Sequence, residues 1–164
     1  MKLSISNIAW NTSEDDEISK ILNNYKINLI DIAPNKYFHS INTIDDEEIT
    51  KVKDFWKHRS IQISCLQSIL YNTENFNIFN YDEKSKVSLL KYLEKIIKIS
   101  SKLGAKNIIF GSPKNRDRGS LNDTEVLLRS KSFFRSLGDI ALNYNISVCI
   151  EPIPTLYNCN FMTN

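Results

Sequence analysis

The chain has 164 residues, enough for one domain with a sizeable core, since a domain of roughly 150 residues buries about 68–70% of its unfolded surface. Lys and Arg number 21 against 19 Asp and Glu, a formal charge of +2 with the signs interspersed, which argues against a nucleic-acid partner. Cys65, Cys149 and Cys159 are odd in number and form no C-x-x-C pair, so neither a disulfide framework nor a zinc ribbon is indicated and a reducing cytoplasm is expected. Ser4, Ser6 and Asn7 interrupt the N-terminal apolar residues, and no run of about 18 apolar residues occurs, so no targeting segment and no membrane partner is expected.

Along the chain, short β-branched runs alternate with stretches of helical period, the signal for parallel strands joined by crossover helices. The runs predict five strands, at Leu3–Ile8, Ile27–Ile32, Ile61–Leu66, Asn107–Phe110 and Ile146–Ile150. Between the first two, SEDDEISKILNNY offers Ser13 as an N-cap with acids in the first turn, and places Ile18, Ile21, Leu22 and Tyr25 on one face. His58, in FWKHRS, falls at the C-terminus of the next helix, where a cation suits the dipole and a structural role is expected. The Asn-rich YNTENFNIFNYDEKS reads as a long loop over one end of the sheet. After it, Leu90, Leu93 and Ile97 recur at helical spacing and Gly104 stands as a helix stop. Asn122 and Glu125 form a capping pair for a helix whose Val126, Phe133, Leu137, Ile140 and Tyr144 face inward.

In parallel α/β folds the strand ends that lead into helices share one face, and ligands bind there. Those ends carry Asn7 and Trp10 after the first strand, Asp31 and Lys36 at the second, Gln67 after the third, Lys114, Asn115 and Arg116 after the fourth, and Glu151 after the fifth. Their convergence points to a polar small molecule. Lys114 and Arg116, between Pro113 and Gly119, can hold a phosphate or carboxylate by charge-assisted hydrogen bonds, or form a solvated basic turn. Pro152 keeps Glu151 extended, which suits a rigid ligand for a divalent metal, although an isolated strand-end Glu is more often structural. Asp31 reads as a supporting group, His39 as a loop residue open to either role, and Trp10 and Phe38 as a wall for a sugar face or as rim packing.

Taken together, ISNIAW at 5–10, IDIAPNKYF at 30–38, QSILY at 67–71, FGSPKNR at 110–116 and EPIPTLYNCNF at 151–161 resemble the sugar phosphate isomerase/epimerase group of the xylose isomerase-like barrels. The resemblance implies a (β/α)8 TIM barrel, here its first five strands and four helices, with residues 1–164 the N-terminal part of one barrel domain. It implies a sugar or sugar-phosphate substrate and proton abstraction next to a carbonyl, giving an enediolate. A divalent metal, commonly Mn2+, Mg2+ or Zn2+, sits at the mouth of such barrels. On that pattern Glu151 is a metal ligand that also moves a proton. Lys114, Asn115 and Arg116 match a loop of that pattern that positions substrate, and Asn7, Trp10, Lys36 and Gln67 join them as substrate-binding candidates by their places at the strand exits.

The sequence departs from the family pattern at Ile153, usually Asn, at Asn158, usually Gly, and at Asn11, commonly an acid. The family's other metal ligands come from strands six to eight, outside these residues, so the chain is expected to be inactive alone. Three alternatives remain. An apurinic-endonuclease-like phosphodiesterase wants a His where Gln67 stands, and a basic groove. A non-catalytic partial barrel would pair its open edges with a partner or a second copy. A flavodoxin-like sheet of five parallel strands would carry a Gly-rich turn after strand one, which is missing here.

Overall fold

The computed structural model describes residues 2–80 and 82–164; Met1, and Tyr81 within the expected long loop, lie outside the described residues. Five strands form one sheet in the order β1-β2-β3-β4-β5, every neighbouring pair parallel. They are β1 Ile5–Ser6, β2 Leu29–Ile32, β3 Gln62–Leu66, β4 Asn107–Phe110 and β5 Ser147–Ile150. Four helices make the crossovers: α1 Asp15–Asn24, α2 Asp46–His58, α3 Glu83–Leu103 and α4 Asp123–Leu142. A flavodoxin-like sheet would run 2-1-3-4-5, so the sequential order excludes that alternative and matches an opened (β/α) barrel.

Strand alternation divides the sheet into two faces. Ile30 and Ile32 of β2, Ile63 and Leu66 of β3, and Ile108 and Phe110 of β4 are buried among the helices. There they meet Trp56 of α2, Leu89, Leu93, Ile96 and Ile97 of α3, and Phe133 and Leu137 of α4. Phe110 packs edge-on to Phe133 and Phe134, with centroids at 6.1 and 5.4 Å. The opposite face, which lines a barrel's interior, is mixed, with Leu29 and Ile109 beside Asp31 and Asn107. Asp31 accepts hydrogen bonds from the hydroxyls of Ser4, at 2.8 Å, and of Ser64. Burial, reinforced by the Asp31 carboxylate, pushes the Cys65 thiol well above the ordinary range. A register shift between Ile30 and Asp31 lets Ser64 and Cys65 both approach that carboxylate.

Several local expectations shift. β1 is cut to two residues because the Ser6 hydroxyl accepts from Ile8 N and starts a 3-10 turn over Asn7–Ala9. β2 begins late, since Ile27 N still bonds to Leu22 O at the end of α1. Ser13 does not cap α1: it lies inside a 3-10 turn, Thr12–Glu14, whose Glu14 carboxylate accepts from Asn11 N at 2.7 Å. Ile21 and Tyr25 point to solvent, leaving Ile18 and Leu22 as the buried side of α1. On α3, Leu89 takes the core position and Leu90 is only half-buried.

Other expectations match. Gly104 ends α3 at φ +88°, a left-handed conformation that favours glycine. Asn122 accepts from Glu125 N at 3.0 Å while Glu125 accepts from Asn122 N at 3.2 Å, closing the α4 capping box. His58 is the last residue of α2 and is exposed. The fifth strand reads in sequence as an apolar run, yet Cys149 and Ile150 are exposed, Ile150 by 38%. β5 is an edge of the sheet. Beside it, Phe134, Gly138, Ala141, Leu142, Ile146, Val148 and Ile150 form an apolar groove of about 250 Å3. Among the described residues no helix is long and apolar enough to cross a membrane.

Candidate functional site

Because the strands are parallel, the residues that follow β1, β3, β4 and β5 gather at one end of the sheet. They enclose a cavity of about 330 Å3, lined by Ile8, by Gln67 to Tyr71, by Gly111 and Ser112, and by Glu151. That volume is at the lower end for small-molecule sites, which span about 300–1,000 Å3. Gln67 reaches across from the third exit and donates its amide to the Ser6 hydroxyl at the first. Ser68 holds φ +51°, so the chain turns sharply as it leaves β3 and the following residues wrap the cavity.

Glu151 enters from the edge. Its backbone N–H bonds to Phe110 O at 3.2 Å, extending the β4–β5 ladder by one residue. Its side chain then lies over Gly111: a Cβ built there would come within 2.0 Å of Glu151 Oε2. The missing side chain at Gly111 is what lets the carboxylate lie against the fourth exit. Below it, Arg116 is fully buried and donates from Nη2 to Glu151 O at 2.8 Å, fixing the backbone that carries the acid. Arg116 Nε and Nη1 find no acceptor among the described residues.

The other sequence candidates hold the frame. Asn7 is buried, and its Oδ1 accepts from Ala33 N at 2.8 Å, tying the first exit to the second. Lys36 donates its ammonium to Asn7 O at 2.8 Å and to Trp10 O, so its charge serves the loop rather than an anion. Trp10 is buried edge-on against Trp56 and donates from Nε1 to Asp15 at 2.7 Å. Tyr37 donates to the other Asp15 oxygen at 2.8 Å, yet burial outweighs these bonds and holds the Asp15 carboxyl above the usual carboxylate range.

Asn115 is buried as well. Its Nδ2 donates to Phe76 O at 2.7 Å and its backbone O accepts from Ile78 N at 3.0 Å, anchoring the loop after β3. Lys114 is exposed and does not line the cavity. Thus, of the eight candidates, Gln67 and Glu151 face the cavity, Lys114 stands apart, and Asn7, Trp10, Lys36, Asn115 and Arg116 brace the loops around it. Ser68, Tyr71, Gly111 and Ser112 complete the lining. All four lie within the quoted stretches QSILY and FGSPKNR, but nothing in their residue types marks them as cavity wall rather than turn.

Neither histidine joins the cavity, and among the described residues no group of three or more His, Cys, Asp or Glu is placed to hold a metal ion. Asp31, the other carboxylate at a strand, is engaged by two hydroxyls on the interior face. One exposed carboxylate does not compete with water for a divalent cation, so the residues present do not by themselves fit a metal.

No known protein-family profile matches the sequence, and no curated protein does. Solved structures do. A D-psicose 3-epimerase from Clostridium cellulolyticum H10, solved with D-tagatose, superposes with a TM-score of 0.76 at 14% identity, covering all of this chain and 56% of that one. The 3-keto-D-glucoside 4-epimerase YcjR from E. coli gives 0.68 at 16% identity, over 94% and 57%. An IOLI protein with a bound zinc atom gives 0.67 at 16% identity, over 92% and 51%. The chain has the fold these barrels share. It spans about half the length of the solved structures it matches, consistent with their N-terminal part.

The closeness of Gly111 to Glu151 yields a direct check. Gly111→Ala should lower stability by about 0.5–1 kcal/mol, because the added Cβ clashes with Glu151 Oε2 and crowds Glu151 Cβ at 3.3 Å, so the glutamate must shift. It should also displace the Glu151 carboxylate, read as a changed side-chain carboxyl resonance. An unmoved carboxylate in the variant would contradict the packing described.

Proposed function

We propose that this chain is the N-terminal part of a sugar isomerase or epimerase barrel, residues 1–164 belonging to one barrel domain. The observation that carries the reading is Glu151 laid over Gly111 at the fifth strand exit, facing a cavity it shares with Gln67. An exposed carboxylate on a rigid strand end is suited to take a proton from the carbon next to a sugar carbonyl, and the Gln67 amide to orient a hydroxyl. The similarity in fold to a D-psicose 3-epimerase and a 3-keto-D-glucoside 4-epimerase supports the same class of chemistry.

A neutral sugar fits better than a sugar phosphate. The cavity lining contains no Lys or Arg among the described residues, Lys36 is spent on backbone carbonyls, Arg116 is buried outside the lining with its Nη2 on Glu151 O, and Lys114 lies outside. The divalent metal of such barrels would take Glu151 as one ligand, with the others outside the described residues, and would supply polarisation of the substrate oxygens. On this reading the 164 residues alone do not turn over sugar. Titrating the chain with D-fructose and D-tagatose should move the amide resonances of Gln67, Ser68 and Gly111, and Gln67→Ala should weaken binding; shifts confined to other surfaces would overturn the assignment. Titration with Mn2+ should reveal no stoichiometric site tighter than the millimolar range, and a micromolar site would show that the ligand set is already complete.

A second reading, a non-catalytic partial barrel that pairs with a copy of itself, is favoured by the exposed β5 edge and the apolar groove beside it. Sedimentation equilibrium should then show a dimer that Ile150→Lys converts to monomer. A wild-type chain that is monomeric throughout the micromolar range would remove this reading.

A further inference from the structure

A second, larger cavity adjoins the first. It has a volume of about 550 Å3 and lies between the loop after β2, residues 35–42, and the loop after β3, residues 71–76, with Tyr92 of α3 behind. Tyr71 lines both cavities and is 63% exposed, so its ring is the wall they share. Phe38, Phe76 and Tyr92 supply an aromatic lining, with the Phe76 and Tyr92 rings 5.4 Å apart.

The polar groups here are unspent. The side chains of Asn35, His39, Asn72 and Glu74 make no hydrogen bond to the described residues, whereas Asn42 on the same rim is taken by Lys95 at 2.9 Å. They present amides, an imidazole and a carboxylate to whatever enters. The wall itself is held in place. Thr73 donates to Leu70 O at 2.7 Å, buried Asn115 donates to Phe76 O at 2.7 Å, and Asn72 and Asn75 adopt φ near +60°. The wall of the cavity is thus tied down by part-buried hydrogen bonds within its loop and to Asn115.

A carbohydrate ring offers an apolar C–H face and an edge of hydroxyl donors and acceptors. Aromatic walls bind the first and free amides and carboxylates the second. Among the described residues no Lys or Arg lines this cavity either, so the complement is a neutral ring rather than a phosphate.

We infer that the substrate is a ketose linked to a second sugar ring, the reacting ring in the first cavity and the second ring in this one, against Tyr71. The inference rests on the sugar reading above and narrows it from a free sugar to a glycosidically extended one.

Isothermal titration of the chain with D-fructose, lactulose and turanose tests it, the last two being fructose with a second ring attached. At least one disaccharide should bind about three- to tenfold more tightly than fructose, the gain of one aromatic contact. It should also shift the amides of Asn72 and Thr73, which fructose leaves in place. The double variant Asn35→Ala/His39→Ala, at exposed positions without internal bonds, should cancel that gain while fructose binds as before. Equal affinity for fructose and both disaccharides would overturn the second subsite and leave the sugar reading standing. Binding of none of the three would overturn both. A disaccharide advantage that survives the double variant would place the second ring elsewhere and likewise overturn the inference.

Discussion

Laying five parallel strands side by side in chain order forces every crossover to return to the same end of the sheet before the next strand begins. All five exits therefore open on one face, and residues as far apart in sequence as Ile8 and Glu151 come to line one cavity. The site follows from topology before any particular side chain is chosen. What the side chains add is rigidity, since five short 3-10 turns and loops must hold their shape without the support of a ladder.

That rigidity comes from burying the polar residues that a reading of types alone assigns to ligand binding. Asn7, Lys36, Asn115 and Arg116 each spend a side chain on backbone groups of a neighbouring exit, and Trp10 spends its indole N–H on Asp15. Loops that pass near the top of a parallel sheet leave backbone N–H and C=O groups without strand partners, and long polar side chains are the nearest means of satisfying them. A cation beside a strand exit therefore has two uses, and only its surroundings decide between them. Lys36 reaches two carbonyls and is consumed; Lys114, two exits over, meets none among the described residues and stays in solvent.

Much of the fold was legible in the sequence, because its signals are local. Short β-branched runs located all five strands within a few residues, and Gly104 and the Asn122–Glu125 box marked helix ends by their own chemistry. The partial-barrel topology was legible through the order of the quoted motifs. The place of the candidate cavity at the strand exits was legible, as was the nearness of Gln67 and Glu151 to it, but not the division between lining and bracing. That division depends on which groups meet across exits, as Asn7 meets Ala33 or Arg116 meets the Glu151 carbonyl, and such pairings lie 26 and 35 residues apart. The open edge was expected of a partial barrel, but the exposure of Cys149 and Ile150 was hidden for a similar reason: an apolar run reads as buried, whereas burial depends on what packs beside it.

The pairing of Gly111 with Glu151 ties these levels together. At the end of β4 the chain must leave the sheet, and a glycine there costs conformational entropy with no packing in return. The return appears one strand away, where the space left by the absent Cβ is occupied by a carboxylate. Arg116, five residues after that glycine, holds the carbonyl of the same glutamate from beneath. One loop therefore controls the acid from both sides, its backbone through a guanidinium and its side chain through an empty position. The carboxylate is thereby held at the fifth strand exit, beside a cavity whose wall at Tyr71 is shared with a second one, and neither cavity is lined by Lys or Arg among the described residues.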